Sequence, residues 1–568
     1  MKTSTKWLPA LALLALLTSP AILHAQTWPW AVAPIATNAA TSSVTAMATD
    51  AAGNTVVTGY FTGSLTFGST ILTSQGGNDI FVARLNNSTG AWTQAVQVGS
   101  ASNDVPTALA IDASGNVVVG GWFNSSVLNF GAVALANGGS PGTADVFVAR
   151  LSSTGTWTQA ARAGGADNDF LNALAVDGNG TVVAGGTFSE PTAQFGPFTL
   201  TYFPPNGGTW GNIFVARLSS AGTWTQAVRA GGQFGVVLTA LAVDATGTVT
   251  TAGYFDSPTL NFGSLALPNP KGVSITNALF VARLNNAGTW TQAVSSDNTS
   301  TAIPTAGAVD AGGTAVIGGW FMGQATTFGA TTLANANPNG TSQDIFVARL
   351  GPAGTWTSAA RAGGVLADVV RALTLDSNGN ALVAGYFTGP TASFGPLTLT
   401  NANPATGINA RADVFVARLG AGGSWDLAMQ AGGQDSDQAN AIALDRNGAG
   451  VAIGGDITGA ATFGSLPLST TGSNAFVARL TGSVLAARPG ISLQAGTLVP
   501  NPANGAATLL LAAAPDTRPV QLLDAQGCTV RTYHLPARAT ATIFDLRGLA
   551  PGLYVARCGA ASGKLLVE

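Results

Sequence analysis

The chain has 568 residues, a formal net charge of -3, only 9% charged residues and 73 glycines. So weak a charge, without a clustered basic footprint to displace counterions from phosphates, excludes a nucleic-acid binder. An apolar content of 46% excludes a disordered chain.

In chain order, the first residues read as an address. Lys2 and Lys6 give a basic start, Leu8 to Leu17 an apolar run broken by Pro9, and Leu23-His24-Ala25 a cleavage point before Gln26. The run is too short to cross a bilayer, so residues 1–25 are expected to be a secretory signal peptide cut between Ala25 and Gln26. No cysteine follows the run, which argues against a lipid-modified N-terminus. No later segment is long and apolar enough to span a membrane, so the mature chain is expected to be exported, soluble and monomeric.

Four markers then recur in phase. FVARL elements begin at Phe81, Phe147, Phe214, Phe280, Phe346, Phe415 and Phe476, spaced by 66, 67, 66, 66, 69 and 61 residues. Asp-x-x-Gly turns stand at Asp50, Asp112, Asp177, Asp244, Asp310, Asp376 and Asp445, and Phe-Gly pairs at Phe67, Phe130, Phe195, Phe262, Phe328, Phe394 and Phe463. The Trp of TWTQA-like elements appears at Trp92, Trp157, Trp224, Trp290, Trp356 and Trp425, and Trp28 of TWPWAV takes the same place at the N-terminus.

Within one unit, ALAVD, VVVGGWF, FVARL and TWTQAVRA read as four short strands bounded by turn residues. Asp and Gly suit a tight hairpin between the first two. Both alternating positions are apolar, which indicates sheets covered on both faces. Four-stranded antiparallel units in series, each needing two neighbours, describe an all-β chain whose residues 26–480 form a seven-bladed β-propeller. The first Trp strand precedes any unit that can hold it. Residues 28–36 are therefore expected to complete the last blade beside Phe476 to Leu480, an open solenoid being the structural alternative. The pattern W…GG…D…ALAVD..GNVVV.G.F…D.FVARL…G resembles the SBBP-type repeat of secreted bacterial β-propellers over residues 28 to 480. That resemblance implies a fold and no particular activity.

After a linker at 481–497, residues 498–568 change composition. Pro500-Asn501-Pro502, the Asp524-Ala525-Gln526-Gly527 turn, Gly548-Leu549, Pro551-Gly552, Tyr554 and the closing Lys564-Leu565-Leu566-Val567-Glu568 resemble the C-terminal sorting domain of type IX secretion substrates. Alternating apolar strands separated by Gly and Pro turns suit a small Ig-like β-sandwich, with or without an address role. The resemblance implies the type IX secretion machinery as a partner. It also implies a location outside a Gram-negative Bacteroidetes-type cell, or on its outer-membrane surface. Cys528 and Cys558 are the only cysteines. Export permits a bridge between them, which would add to the family pattern; the sequence leaves it open.

The residues from 26 to 480 contain no His or Cys, one Glu (Glu190) and one Lys (Lys271). Histidine-dependent triads, zinc sites with His or Cys ligands and thiol nucleophiles are therefore excluded there. A polysaccharide hydrolase or lyase would have to work with Asp, Tyr or Arg. The arginine of each FVARL element, Arg84 to Arg479, recurs once per unit; pairing with the turn Asp of its own blade is the leading reading, an anion-binding channel the other. Strand parity puts both tight turns of every blade on one face and gathers the variable links on the opposite face, the usual layout of a binding surface. Tyr60, Trp122, Tyr254, Trp320 and Tyr386 end the second strand there, either packing between blades or forming a stacking platform. Asp104, Asp167 with Asp169, and Asp435 with Asp437 lie in the neighbouring link; they suit Ca²⁺ or, as the plainer reading, cap turns. No other cofactor is expected. The chain thus reads as a non-enzymatic module binding a glycan or an extracellular protein, with an Asp-dependent polysaccharide enzyme and a surface-layer or matrix component as alternatives.

Overall fold

A computed structural model describes residues 26–37, 40–189, 191–202, 211–270, 277–296, 300–404, 407, 410–482, 497–499, 502–510, 517–524, 529–558 and 561–567. The expected signal peptide, Ala25 included, lies outside the described residues, as do Glu190, Lys271, Pro500, Asn501 and Cys528. The chain divides into two compact units, Met1–Ala486 and Ala487–Glu568. Among the described residues it is all-β, with no α-helix.

In the larger unit one strand set shows the local logic. Asp104–Ile111, Val117–Phe123, Asp145–Leu151 and Trp157–Gly165 pair antiparallel in chain order. The second strand, VVVGGWF, is buried at every position but Trp122, because both of its faces are covered. Gly121 is required there: a Cβ would stand 2.1 Å from the carbonyl oxygen of Val105. At the hairpin before it, one oxygen of Asp112 accepts the backbone N–H groups of Ser114 (3.0 Å) and Asn116 (2.9 Å), while Gly115 takes a φ of +82°. The same pairing order starts again at Ser42, Asp169, Val236, Thr301, Asp368 and Gln438.

The Phe-Gly excursion between second and third strands is more ordered than its sequence suggests. In this set it is a hairpin, Val127–Phe130 with Val133–Ala136. Four-residue runs are too short to display a period, so the sequence reading gave them no strands. The buried Phe130 meets Trp157 edge-on, with ring centroids 5.0 Å apart. The same Phe–Trp contact recurs from Phe67–Trp92 (4.8 Å) to Phe394–Trp425 (5.2 Å).

The N-terminal strand supplies the missing member of the last set. Thr27–Val32 pairs antiparallel with Leu466–Thr481, placing Trp30 opposite Arg479 and Val32 opposite Val477. Trp28 meets Phe463 at 5.4 Å and 81°, repeating the contact made within each other set. The first strand Ser42–Thr49 touches Asp104–Ile111 on one side and Gln438–Leu444 on the other. One buried cluster holds Trp30, Val44, Phe61, Ala441 and Val477 together, so the series of sets closes on itself.

In the smaller unit, Thr497–Val499, Ala506–Leu510 and Ala541–Asp545 form one sheet. Thr529–Leu535, Arg518–Leu523, Gly552–Cys558 and Ala561–Val567 form a second. Leu509, Val520, Leu522, Phe544 and Leu565 share one core between them. Gly548 turns the chain with φ +81°, Leu549 packs against this core, and the Tyr554 hydroxyl donates to the Ala550 carbonyl at 2.9 Å. Pro502 and Pro551 are exposed, Lys564 lies opposite Val555 in the last strand pair, and Cys558 is buried.

Because Trp28 fills the same slot as the internal tryptophans, Trp28→Ala is expected to cost about 3–5 kcal/mol, the usual range for a buried aromatic. Urea unfolding of the mature chain measures it; a loss below about 1 kcal/mol would show that closure does not depend on this contact.

Candidate binding face and buried carboxylates

In each antiparallel set the two tight turns fall at one end. There the recurrent arginines are already engaged. Arg150 meets the turn carboxylate of Asp112 at 2.7 Å and also donates to the Gly180 carbonyl of the next set. Arg217, Arg283 and Arg349 donate likewise to Gly247, Gly313 and Gly379, each at 2.7 Å. Arg84 pairs with Asp50 and Arg479 with Asp445, whereas Arg418 turns to Asp426 at 2.8 Å. Four of these guanidinium groups, those of Arg150, Arg217, Arg283 and Arg349, therefore stitch neighbouring sets through a turn carbonyl, while Arg84, Arg418 and Arg479 pair with a carboxylate of their own set.

The opposite end carries the longer links. Parts of these, 203–210, 271–276, 297–299, 405–406 and 408–409, lie outside the described residues. Tyr60, Trp122, Tyr254, Trp320 and Tyr386 are half-buried at this end, each beside a fully buried Phe of the same strand. Trp122 meets Phe170 of the next set edge-on at 5.5 Å, and the Arg371 guanidinium lies 5.5 Å from the centre of the Tyr386 ring. Trp122 thus packs between sets, Tyr386 packs against Arg371 of its own set, and all five rings keep an accessible portion.

The row is interrupted by Thr187 and Asp456. The Asp456 carboxylate accepts from Ser43 (2.9 Å) and Asn440 (3.0 Å), which come from opposite ends of the folded series. Burial raises its pKa, opposed by those hydrogen bonds and by Arg371. Burial, reinforced by Asp456, also raises that of Tyr60.

The first strands surround a cavity of about 190 Å³ lined by Ala46, Ala108, Ala173, Ala240, Ala306 and neighbours. That is below the roughly 300 Å³ at which small-molecule pockets begin. Its rim is committed as well. Thr45 donates to the Pro106 carbonyl (2.7 Å), Thr107 to Leu171 (2.6 Å) and Asn172 to Leu238 (2.7 Å), each linking adjacent sets.

The acidic residues chosen from sequence do not act as loop pairs. Asp167 and Asp435 are exposed, whereas Asp104, Asp169 and Asp437 are buried, at 0%, 1% and 0% exposure. The buried ones meet carboxylates that the sequence reading passed over. Their backbone N–H groups bond to Asn78, Ala144 and Ala412, setting each beside the Asp that opens the preceding set's third strand: Asp79, Asp145 and Asp413. Asp368 and Asp344 form a fourth such seam, through the Gln343 carbonyl. Turn capping is part of their role, since Asp169 Oδ2 accepts the Gly165 N–H at 2.8 Å and Asp368 Oδ2 the Gly364 N–H at 2.6 Å, but the solvated loop expected around them is absent at the buried members.

Glycine makes the approach possible. A Cβ on Gly164 would lie 2.4 Å from Asp145 Oδ1 and 2.7 Å from Asp169 Oδ2. On Gly363 it would lie 2.7 Å from Asp368 Oδ2 and 3.2 Å from Asp344 Oδ1. Burial chiefly raises the pKa of Asp104 and Asp413 to about 6 and of Asp437 to about 7, and Asp368 stands well above its ordinary value. In three of these seams the partner carboxylate adds to the rise.

Residues 497–567 match the family model of the secretion system C-terminal sorting domain. The match indicates export by type IX secretion to the cell surface or extracellular space of a Bacteroidetes-type cell. No curated protein matches the chain. Among solved structures, a protein of unknown function from Dyadobacter fermentans is similar at TM-score 0.39 and 12% identity, over 80% of this chain and 99% of that one. Sqt1 from Chaetomium thermophilum gives 0.39 and 10%, over 81% and 100%. A protein from Lactobacillus plantarum gives 0.34 and 12%, over 89% and 100%.

A carboxyl whose pKa is raised by folding makes its full contribution below the unfolded value, and that contribution is lost as pH climbs through the folded value. In chelator-treated protein, stability is therefore expected to fall between about pH 4 and pH 7. Asp437→Asn should flatten this slope in urea titrations; an unchanged slope would remove the carboxylates as its source.

Proposed function

We propose that residues 26–480 form a seven-bladed β-propeller of the SBBP-like kind, closed by the strand within residues 28–36. We read it as an exported, non-enzymatic binding module. Its ligand is a glycan or an extracellular protein, held on the face of the longer links. The observation that carries this reading is the half-buried row of Tyr60, Trp122, Tyr254, Trp320 and Tyr386 at that end. Flat rings held in place by a rigid sheet lose little conformational entropy on binding, and their faces suit sugars or peptide side chains. Support against catalysis comes from the sequence, which offers this region no His or Cys, and from the carboxylates of the seams. These are buried among strands, where a substrate does not reach them.

The test uses the mature full-length chain on glycan arrays and in pull-downs from extracellular protein mixtures. Once a ligand is found, Trp122→Ala and Trp320→Ala are expected to weaken it tenfold or more, about 1.4 kcal/mol each. Clean negatives in both screens, with concentration-dependent self-assembly in solution, would favour a surface-layer or matrix component instead. Turnover of a polysaccharide that is lost in Asp167→Asn or Asp435→Asn would favour the enzyme.

A further inference from the structure

The four carboxylate seams differ in how they are neutralised, and the difference singles out two. The fourth strand places Arg162 opposite Phe147 and Arg361 opposite Phe346. These arginines reach Asp145 at 2.5 Å and Asp344 at 2.7 Å, so each of those seams combines two carboxylates with a guanidinium. At the same register stand Gln97, opposite Phe81, and Gln430, opposite Phe415. Both glutamines turn away from the seam. Gln97 bonds the backbone N–H (2.9 Å) and carbonyl (2.8 Å) of Thr73, and Gln430 does the same with Thr400. Among the described residues no ion pair reaches Asp79, Asp104, Asp413 or Asp437.

Carboxylate oxygens without a hydrogen bond occur in the arginine-bearing seams too, as at Asp344 Oδ1 and Asp368 Oδ1, so what sets the two glutamine seams apart is that theirs face no counter-charge among the described residues. Asp413 Oδ2 accepts the Ala402 N–H at 2.6 Å, and Asp437 Oδ1 accepts the Thr458 N–H at 3.0 Å. Asp413 Oδ1 and Asp437 Oδ2 have no hydrogen-bond partner, although both side chains are fully buried. Gly432 leaves the space that Asp413 needs, since a Cβ there would stand 2.2 Å from its Oδ1. Asp435, exposed two residues before Asp437, is close enough to act on it electrostatically. In the other seam, Asp79 Oδ2 accepts the Gln75 N–H at 2.7 Å while its Oδ1 has no partner. There Asp104 accepts from the hydroxyls of Ser125 (2.6 Å) and Ser100 (2.9 Å). A buried carboxylate without a counter-charge carries a desolvation penalty, and a bound cation removes it.

We propose that the Asp413–Asp437 seam binds a divalent cation of the calcium class, with the Asp79–Asp104 seam as a second copy. The ion does in these seams what Arg361 and Arg162 do in theirs. Every donor present is an oxygen, which suits a hard cation and disfavours a thiolate- or imidazole-seeking metal. The two carboxylates supply the anionic ligands, and carbonyl groups and water complete the shell.

The decisive variant is Gln430→Arg, which places at this seam the residue its sister seams carry and leaves both carboxylates intact. Mature full-length protein, stripped with chelator and dialysed against calcium chloride near pH 7.5, is expected to retain calcium by atomic emission and to melt several degrees higher. Gln430→Arg should melt higher than wild type in chelator and retain less calcium; Asp413→Asn and Asp437→Asn should also retain less. Equal melting with calcium or chelator and no retained ion would overturn the proposal. So would calcium retention that Gln430→Arg leaves unchanged, a result readable even if the Asn variants do not fold. Stabilisation by acid alone, with no response to calcium, would assign the seam to a shared proton and equally sink the idea.

Discussion

Each strand set in this protein has two apolar faces, and nothing inside the set can cover them. Phe123, for example, is completely buried, and burying a side chain of that size is worth roughly 1.5–3 kcal/mol. A set standing alone would forgo that term on both sides. Stacked sets recover it at every internal seam, and only a series that meets its own beginning recovers it at the last one. The near-copies of FVARL and TWTQA are the residue-level expression of that constraint, because each set must fit the same neighbour on either side. The pairing of Trp30 with Arg479 and the contact of Trp28 with Phe463 are its topological expression.

A seam that is apolar in the middle must dispose of its polar groups at the ends. At the end with tight turns this is done with arginine, whose fork reaches a turn carboxylate on one side and a turn carbonyl on the next set. Arg150 shows both contacts. At the other end the seams hold paired carboxylates, with arginine at two of them and glutamine at two. Elsewhere the same place is filled by neutral groups, as where Ser42 donates to Asn474 at 3.1 Å. A repeating scaffold thus varies its electrostatics seam by seam without changing its strands. Exchanging a charge there alters local stability and leaves the apolar faces as they were.

What the sequence disclosed follows from this division. Repetition made the four main strands, the closing tryptophan strand and the turn carboxylates legible, because one noisy unit is averaged by its copies. Reading failed where partners are far apart in sequence and look like loop residues. Asp413 sits two places before the Phe of its FVARL element and resembles the end of a link, yet it is the neighbour of Asp437. Asp435 and Asp437 look like a pair because they are adjacent in the chain. The strand that begins at Gln438 carries its entry residue inward while Asp435 stays in solvent, so adjacency misled. The Phe-Gly hairpins were missed for another reason: their four-residue strands owe their order to the Trp edge packed against each Phe, a contact between distant segments.

Closure also bears on where the symmetry of the aromatic row breaks. Asp456 occupies the position held elsewhere by Tyr or Trp, and its hydrogen-bond partners Ser43 and Asn440 belong to the first and last sets. Tyr60, in the first set, feels the Asp456 carboxylate. Ser43 and Tyr60 face each other across one strand pair and Asn440 and Asp456 across another, and the two pairs come together only once Ser42–Thr49 lies against Gln438–Leu444. An open form would separate Ser43 from Asp456 and leave that carboxylate with the Asn440 and Ser473 donors of its own set. This non-repeating polar cluster on the proposed binding face is therefore completed by the act of closing, so a ligand that binds only the completed cluster favours the closed ring over the open chain by its own binding free energy.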